Sequence, residues 1–257
     1  MLRIAGQEID PRLIVFDKDG TLIAFDPLWR ARFARLMEAL ETLTPLGRDT
    51  RLALAATLGY DLETGEWDPR GPLTVASNTE VALLMASQLY RCQDMTWDEA
   101  LAMIAEAEEV GHAQPSLIDL VQPIGDVHAT LQRLRDQGLV LALATTDDRE
   151  STEIALGKLG VSHLFAAVVC GDEGIPLKPA PDMAQEICRR VGIASGDATM
   201  VGDAIVDMTM ARRAGLAHAV AVTSGPLSRE ALAPHADMVI PDIHAIEIVS
   251  SGEDRGP

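Results

Sequence analysis

The sequence predicts a doubly wound α/β protein whose parallel sheet is interrupted, just after its first strand, by an all-helical insert. Three observations carry that reading. A short apolar run, Leu13 to Phe16, stops abruptly at Asp17-Lys18-Asp19-Gly20-Thr21, where polar residues and glycine mark a loop. From there to about Gln122 apolar residues recur at helical spacing, with no alternating strand among them. After Pro123 the rhythm changes again, and short apolar runs alternate with helical stretches.

The first run is too short to be stable alone and must join a larger sheet. Within the insert, Leu28 to Leu43, Val81 to Tyr90 and Ala100 to Ala107 read as helices. Ser77-Asn78-Thr79-Glu80 and Thr96-Trp97-Asp98-Glu99 both fit the capping box, in which a hydroxyl and a glutamate satisfy the free amides of a helix start. Arg70 to Asn78 reads as a loop running into a helix start, a place where backbone amides can meet an anion, or else as an ordinary helix connection. Trp29, Trp67 and Trp97 read as packing anchors. Beyond the insert, Val140 to Ala144, Ala166 to Val169, Thr199 to Val201, Ala219 to Val222 and Met238 to Ile240 are the strands, separated by the helical crossovers that parallel pairing requires. The α/β core is thus expected in residues 1–24 and 123–249, the helical insert in 25–122 and a disordered tail in 250–257.

With 257 residues the chain can bury a sizeable core without disulfides. Its net charge of -18 repels polyanions, which makes nucleic acid and anionic membranes poor partners, and an aromatic content of 4% leaves little for base stacking. Residues 1–17 lack a basic segment followed by a long apolar stretch and do not read as a secretory signal. Cys92, Cys170 and Cys188 are an odd number with no close pair, which argues against a disulfide framework or a zinc site and for inert buried thiols in the cytoplasm. The six histidines show no metal-ligand spacing and read as surface or structural. A monomer and a homodimer are equally compatible with the sequence.

Ligands of open α/β sheets bind beyond the carboxyl ends of the strands. Those ends carry Asp17 and Asp19, then Thr145-Thr146-Asp147-Asp148, then Cys170-Gly171-Asp172, then Gly202-Asp203 with Asp207 beyond; Lys178 lies on the connection before the last of them. So many carboxylates on one edge call for a hard dication with oxygen ligands, and Mg2+ fits best because it binds through one or two carboxylates and a substrate phosphate. Lys178 supplies a second positive charge for the same phosphate. A strand-end aspartate is also a common helix N-cap, and Asp147, Asp148 and Asp172 are read that way. Gly20 and Gly202 permit tight turns and also let backbone amides approach a phosphate.

Asp17-Lys18-Asp19-Gly20-Thr21 resembles the first motif, DxDGT, of the haloacid dehalogenase-like superfamily. Thr145 is similar to the second motif, Lys178 to the third, and Gly202-Asp203-Ala204-Ile205-Val206-Asp207 to the fourth, GDxxxD. Four motifs in the right order, each at the right end of its element, are specific where each alone is weak. The resemblance implies a Rossmann-like core with a helical cap, in the branch similar to phosphoglycolate phosphatases, and a small phosphorylated metabolite as substrate. It further implies Asp17 as the nucleophile, Asp19 as general acid and base, and Mg2+ held by Asp17, Asp203 and the carbonyl of Asp19. Thr145, the amide of Thr146, Gly20 and Lys178 would hold the phosphoryl group, with Asp207 orienting Lys178 or a metal-bound water and a cap loop selecting the leaving group. Thr146 departs from the asparagine usual at its position. Among rival chemistries, dehalogenation is disfavoured by Asp19, and phosphonate cleavage by an insert that contains no lysine. A phosphosugar mutase and a non-catalytic binding protein on the same fold stay open.

Overall fold

A computed structural model describes residues 1–112 and 117–249, with side chains described outside 111–117. The tail expected at 250–257, like the side chain of His112, lies outside the described residues. The chain divides into two compact units, one formed by Met1–Ala24 with the chain from Pro123 onward, the other by Phe25–Gln122.

Among the described residues the first unit holds nine strands in two sheets. Strands β1 (Leu2–Ile4), β2 (Gln7–Ile9) and β9 (Glu247–Ile248) form a small antiparallel sheet ordered β2-β1-β9. Strands β3 (Leu13–Phe16), β4 (Val140–Ala144), β5 (Ala167–Val169), β6 (Ala198–Gly202), β7 (His218–Val222) and β8 (Met238–Ile240) form a parallel sheet ordered β5-β4-β3-β6-β7-β8. All four residues of β3 are buried, as a central strand covered on both faces should be. On one face Leu13, Val15, Ala142, Ala144 and Met200 pack against Met183 and Ile187, and against Met208 and Ala211. Those partners lie on helices α8 (Asp182–Val191) and α9 (Ile205–Ala214). Helices α6 (Val127–Asp136), α7 (Arg149–Leu159) and the short α10 (Arg229–Leu232) complete the unit.

The small antiparallel sheet is not among the strands expected from sequence. Its first two strands have three residues each, too few to show a period, and they are joined by Ala5-Gly6, both at positive φ (49° and 80°). That conformation closes a two-residue hairpin.

The second unit is built from α1 (Phe25–Leu43), α2 (Arg48–Thr57), α3 (Pro72–Val75), α4 (Asn78–Cys92) and α5 (Trp97–His112), around its own core of Leu40, Leu54, Met85, Leu89 and Ala100. Both capping boxes close: Ser77 Oγ accepts from the Glu80 amide while Glu80 accepts from the Ser77 amide, and Thr96 pairs likewise with Glu99. The stretch expected as a loop at Arg70–Asn78 includes the single turn α3. Trp29 and Trp67 pack among Phe25, Phe33 and Tyr60. Trp97 does not anchor the core: it stands 41% exposed, edge-on to Tyr90, because its place in the first turn of α5 faces outward. The expectation of three buried thiols is corrected similarly, since Cys92, in the last turn of α4, is exposed whereas Cys170 and Cys188 are buried. Among the described residues no helix is long and apolar enough to cross a membrane.

Candidate active site

Register brings the strand ends together. Phe16 pairs with Leu143 on one side and Val201 on the other, so Asp17 lies level with Ala144 and Gly202, and Thr145 and Asp203 follow one residue further on. The Asp17 amide extends the ladder by donating to the Val201 carbonyl at 2.9 Å. Beyond it the chain folds back at once, with the Leu22 and Ile23 amides both donating to the Lys18 carbonyl, at 2.8 and 3.0 Å. Gly20 takes φ +82° in this turn, a left-handed conformation that only glycine adopts without strain.

One ion pair crosses from the third motif to the first. Lys178 Nζ donates to Asp17 Oδ1 at 2.6 Å and pairs with Asp207 Oδ1 at 2.6 Å, its own side chain being almost fully buried. Burial alone would lower the Lys178 ammonium, but the charges of Asp17 and Asp207 outweigh it and hold the group above its ordinary value. Asp207 is itself fixed, because its Oδ2 accepts from the Ala204 amide at the start of α9. A Cβ on Gly202 would strike this carboxylate, which explains the glycine at the end of β6.

Asp203 is enclosed more tightly still. A Cβ on Gly20 or on Gly225 would run into its carboxylate, and Ser224 Oγ donates to the Gly20 carbonyl at 2.7 Å, locking the two glycine-bearing loops together. Burial pushes the Asp203 carboxyl well above the ordinary range, and the neighbouring charges of Asp17 and Asp207 push it the same way. Asp17 is raised by burial too, against the pull of Lys178. Asp17, Asp203 and Asp207 each offer an oxygen within 4.8 Å of the others, an all-oxygen donor set with one lysine between three carboxylates. Excess buried negative charge with hard donors is the chemistry that Mg2+ satisfies. Asp207 joins Asp17 and Asp203 in this cluster, whereas the Asp19 carboxylate turns toward Lys18.

That second buried ion pair was not legible as such in the sequence. Lys18 Nζ lies 2.9 Å from Asp19 Oδ2 and 2.8 Å from Asp147 Oδ2, with Lys18 and Asp147 side chains 1% and 2% exposed. Asp147 is therefore not a helix cap. Asp148 is, its Oδ1 accepting from the Ser151 amide, and Asp172 also serves the start of α7 by accepting from the Arg149 amide. Of the phosphate-binding candidates, Thr145 is buried and its Oγ accepts from the Asp147 amide at 3.2 Å, while the Thr146 carbonyl sits so close to Gly171 that no side chain fits there. Strand register, rather than a direct bond, relates both threonines to Asp17. Lys18, Asp147, Ser224 and Gly225 were missed; a lysine between two aspartates was the available clue for the first.

Fold and site together define a doubly wound α/β protein whose candidate site residues gather at the ends of three adjacent parallel strands. Residues 11–215 match the family described as haloacid dehalogenase-like hydrolase. The chain is 30% identical over 217 residues to the phosphoglycolate phosphatase of Aliivibrio fischeri, covering 84% of this chain and 86% of that one. Among solved structures, a predicted phosphoglycolate phosphatase from Haemophilus somnus superposes with TM-score 0.64 at 20% identity, covering 92% of this chain and 96% of that one. A β-phosphoglucomutase from Clostridium difficile superposes with TM-score 0.65 at 14% identity, covering 91% and 92%. The chain belongs to the haloacid dehalogenase-like hydrolase family, in its phosphoglycolate-phosphatase-like branch.

Proposed function

We propose that this phosphatase of the haloacid dehalogenase-like family hydrolyses a small phosphorylated metabolite, a monoester like phosphoglycolate or a sugar phosphate, in a magnesium-dependent reaction through a phosphoaspartate on Asp17. The observation that carries the reading is the Asp17 carboxylate at the tip of the central strand, one oxygen bonded to the buried Lys178, with the Asp203 and Asp207 carboxylates beside it. An oxygen of Asp17 attacks phosphorus, the bond from phosphorus to the ester oxygen breaks, and Asp19 gives the leaving oxygen its proton. Water then attacks the phosphoaspartate, passes a proton to the Asp19 carboxylate, and inorganic phosphate departs as Asp17 is regenerated. Lys178, Thr145 and the Thr146 and Gly20 amides stabilise the phosphoryl oxygens, over which charge spreads in the transition state. Asp207 keeps Lys178 in place. Asp17, Asp203 and the carbonyl of Asp19 would hold the metal, which when bound supplies Lewis-acid polarisation of a phosphoryl oxygen. The buried thiols of Cys170 and Cys188 suit a reducing cytoplasm.

A β-phosphoglucomutase shares the fold, and phosphate release separates the readings: accumulation of an isomerised sugar phosphate in place of inorganic phosphate would favour a mutase. Asp17→Asn should abolish turnover with the fold intact, and acid quenching of the parent enzyme on radiolabelled substrate should leave label on Asp17. An active Asp17→Asn variant, or no trapped label under turnover, overturns the reading.

A further inference from the structure

We infer that Lys18 is a positioning residue for Asp19: together with Asp147 it tethers one carboxylate oxygen of Asp19 so that the other is held toward the leaving group. The inference rests on the role proposed above for Asp19 and adds a part that the motif pattern does not assign to the residue between the two aspartates.

The geometry is specific. Lys18 Nζ bonds Asp19 Oδ2 at 2.9 Å and Asp147 Oδ2 at 2.8 Å, and its side chain is 1% exposed, so its ammonium is committed to these two carboxylates. Asp147 is fixed in turn through its Oδ1, which accepts from the Asp148 amide at 3.0 Å, one residue before α7 begins. A rigid helix start therefore anchors Asp147, Asp147 anchors Lys18, and Lys18 anchors a single oxygen of Asp19. The second oxygen, Asp19 Oδ1, is buried and has no hydrogen-bond partner within the protein. A buried carboxylate oxygen without a partner is costly unless another molecule serves it. The leaving-group oxygen in the first half-reaction, and the attacking water in the second, are the partners the chemistry supplies. A carboxylate free to rotate would present either oxygen, or neither, and would lose the alignment on which proton transfer depends.

A lysine that merely neutralised Asp147 would leave the same contacts, and leaving-group dependence separates the two. General-acid help matters most when the departing oxygen is a poor leaving group. Phenyl phosphate releases a phenol about as weakly acidic as a tyrosine side chain, pKa about 10, whereas p-nitrophenyl phosphate releases a far more acidic phenol of nearly the same shape. In Lys18→Met, kcat/KM for phenyl phosphate should fall on the order of a hundredfold, while that for p-nitrophenyl phosphate falls much less. On p-nitrophenyl phosphate, whose first step is little affected, the fraction of enzyme trapped as phosphoaspartate should rise, because the second step loses its aligned base. Removing one partner of a buried pair can unfold a protein, so the test includes Lys18→Met/Asp147→Asn, which removes the lysine without stranding the Asp147 charge. The double variant should show the same skew between the two esters. Equal loss on both esters in either variant, or return of the parental ratio in the double variant, overturns the inference. An active Asp17→Asn enzyme would instead overturn the phosphoaspartate reading beneath it.

Discussion

Asp203 shows how residues without side chains can hold a carboxylate in place. Gly225 has no positive φ, so an alanine there costs nothing in backbone conformation, yet its Cβ would press on the Asp203 carboxylate from Cβ outward. Gly225→Ala should displace that carboxylate, raise the Mg2+ concentration needed for half-maximal activity, and cost roughly 1–3 kcal/mol of stability through overpacking. Gly157, inside α7 with open space where a Cβ would go, is the control. Gly157→Ala should stabilise the protein by about 0.5–1 kcal/mol and leave the Mg2+ titration unchanged, and a pair of thermal melts reads both. The thiols make a third residue-scale test. Burial pushes Cys170 up to about 11, and Cys188 is raised for the same reason. Alkylation of the native protein at pH 8 should therefore modify Cys92 alone, with Cys170 staying protonated until the pH approaches its raised value; rapid labelling of Cys170 at pH 8 would contradict the described packing.

At the scale of elements, the start of α7 gives two adjacent aspartates different partners, Lys18 for Asp147 and the Ser151 amide for Asp148. Asp148 caps the helix through the Ser151 amide, so Asp148→Ala should cost about 1 kcal/mol with little change in the ratio of rates on phenyl and p-nitrophenyl phosphates. The sequence alone could not tell Asp148 from Asp147, because which of two neighbouring carboxylates caps a helix depends on a boundary shift of one residue, within the ordinary uncertainty of a helix end. The strands of the parallel sheet were legible for the opposite reason. Burial on both faces makes each a continuous apolar run ending at a polar loop, and Leu13–Phe16, Val140–Ala144 and Met238–Ile240 were read to the residue. The hairpin of β1 and β2 carries too few residues for any period and a turn pair, Ala5-Gly6, outside the usual asparagine or aspartate signals. Of the candidate site, the motif aspartates were legible as polar residues at or just beyond strand ends, and Lys178 by its place on the connection between β5 and α8. The Lys18–Asp147 pair joins positions 129 apart in sequence and needs the fold to be seen.

For the molecule as a whole, the opposing charges are unevenly placed. A net charge of -18 accompanies a trio of clustered carboxylates balanced by a single lysine, so a divalent cation that binds the folded state should stabilise it. Melting temperature should rise with added Mg2+ in the parent and return to its starting value in chelator, while Asp203→Asn should show a much smaller rise; an equal response in the variant would assign the effect to diffuse surface charge.

The sequence contains only three lysines, and Lys18 and Lys178 are both enclosed by aspartates at the strand ends, leaving Lys158 as the exposed one. Amine-directed coupling to a solid support would consequently grip the native protein on α7, at Lys158. An immobilised preparation should retain the turnover of the free enzyme, oriented by its scarcity of reactive amines.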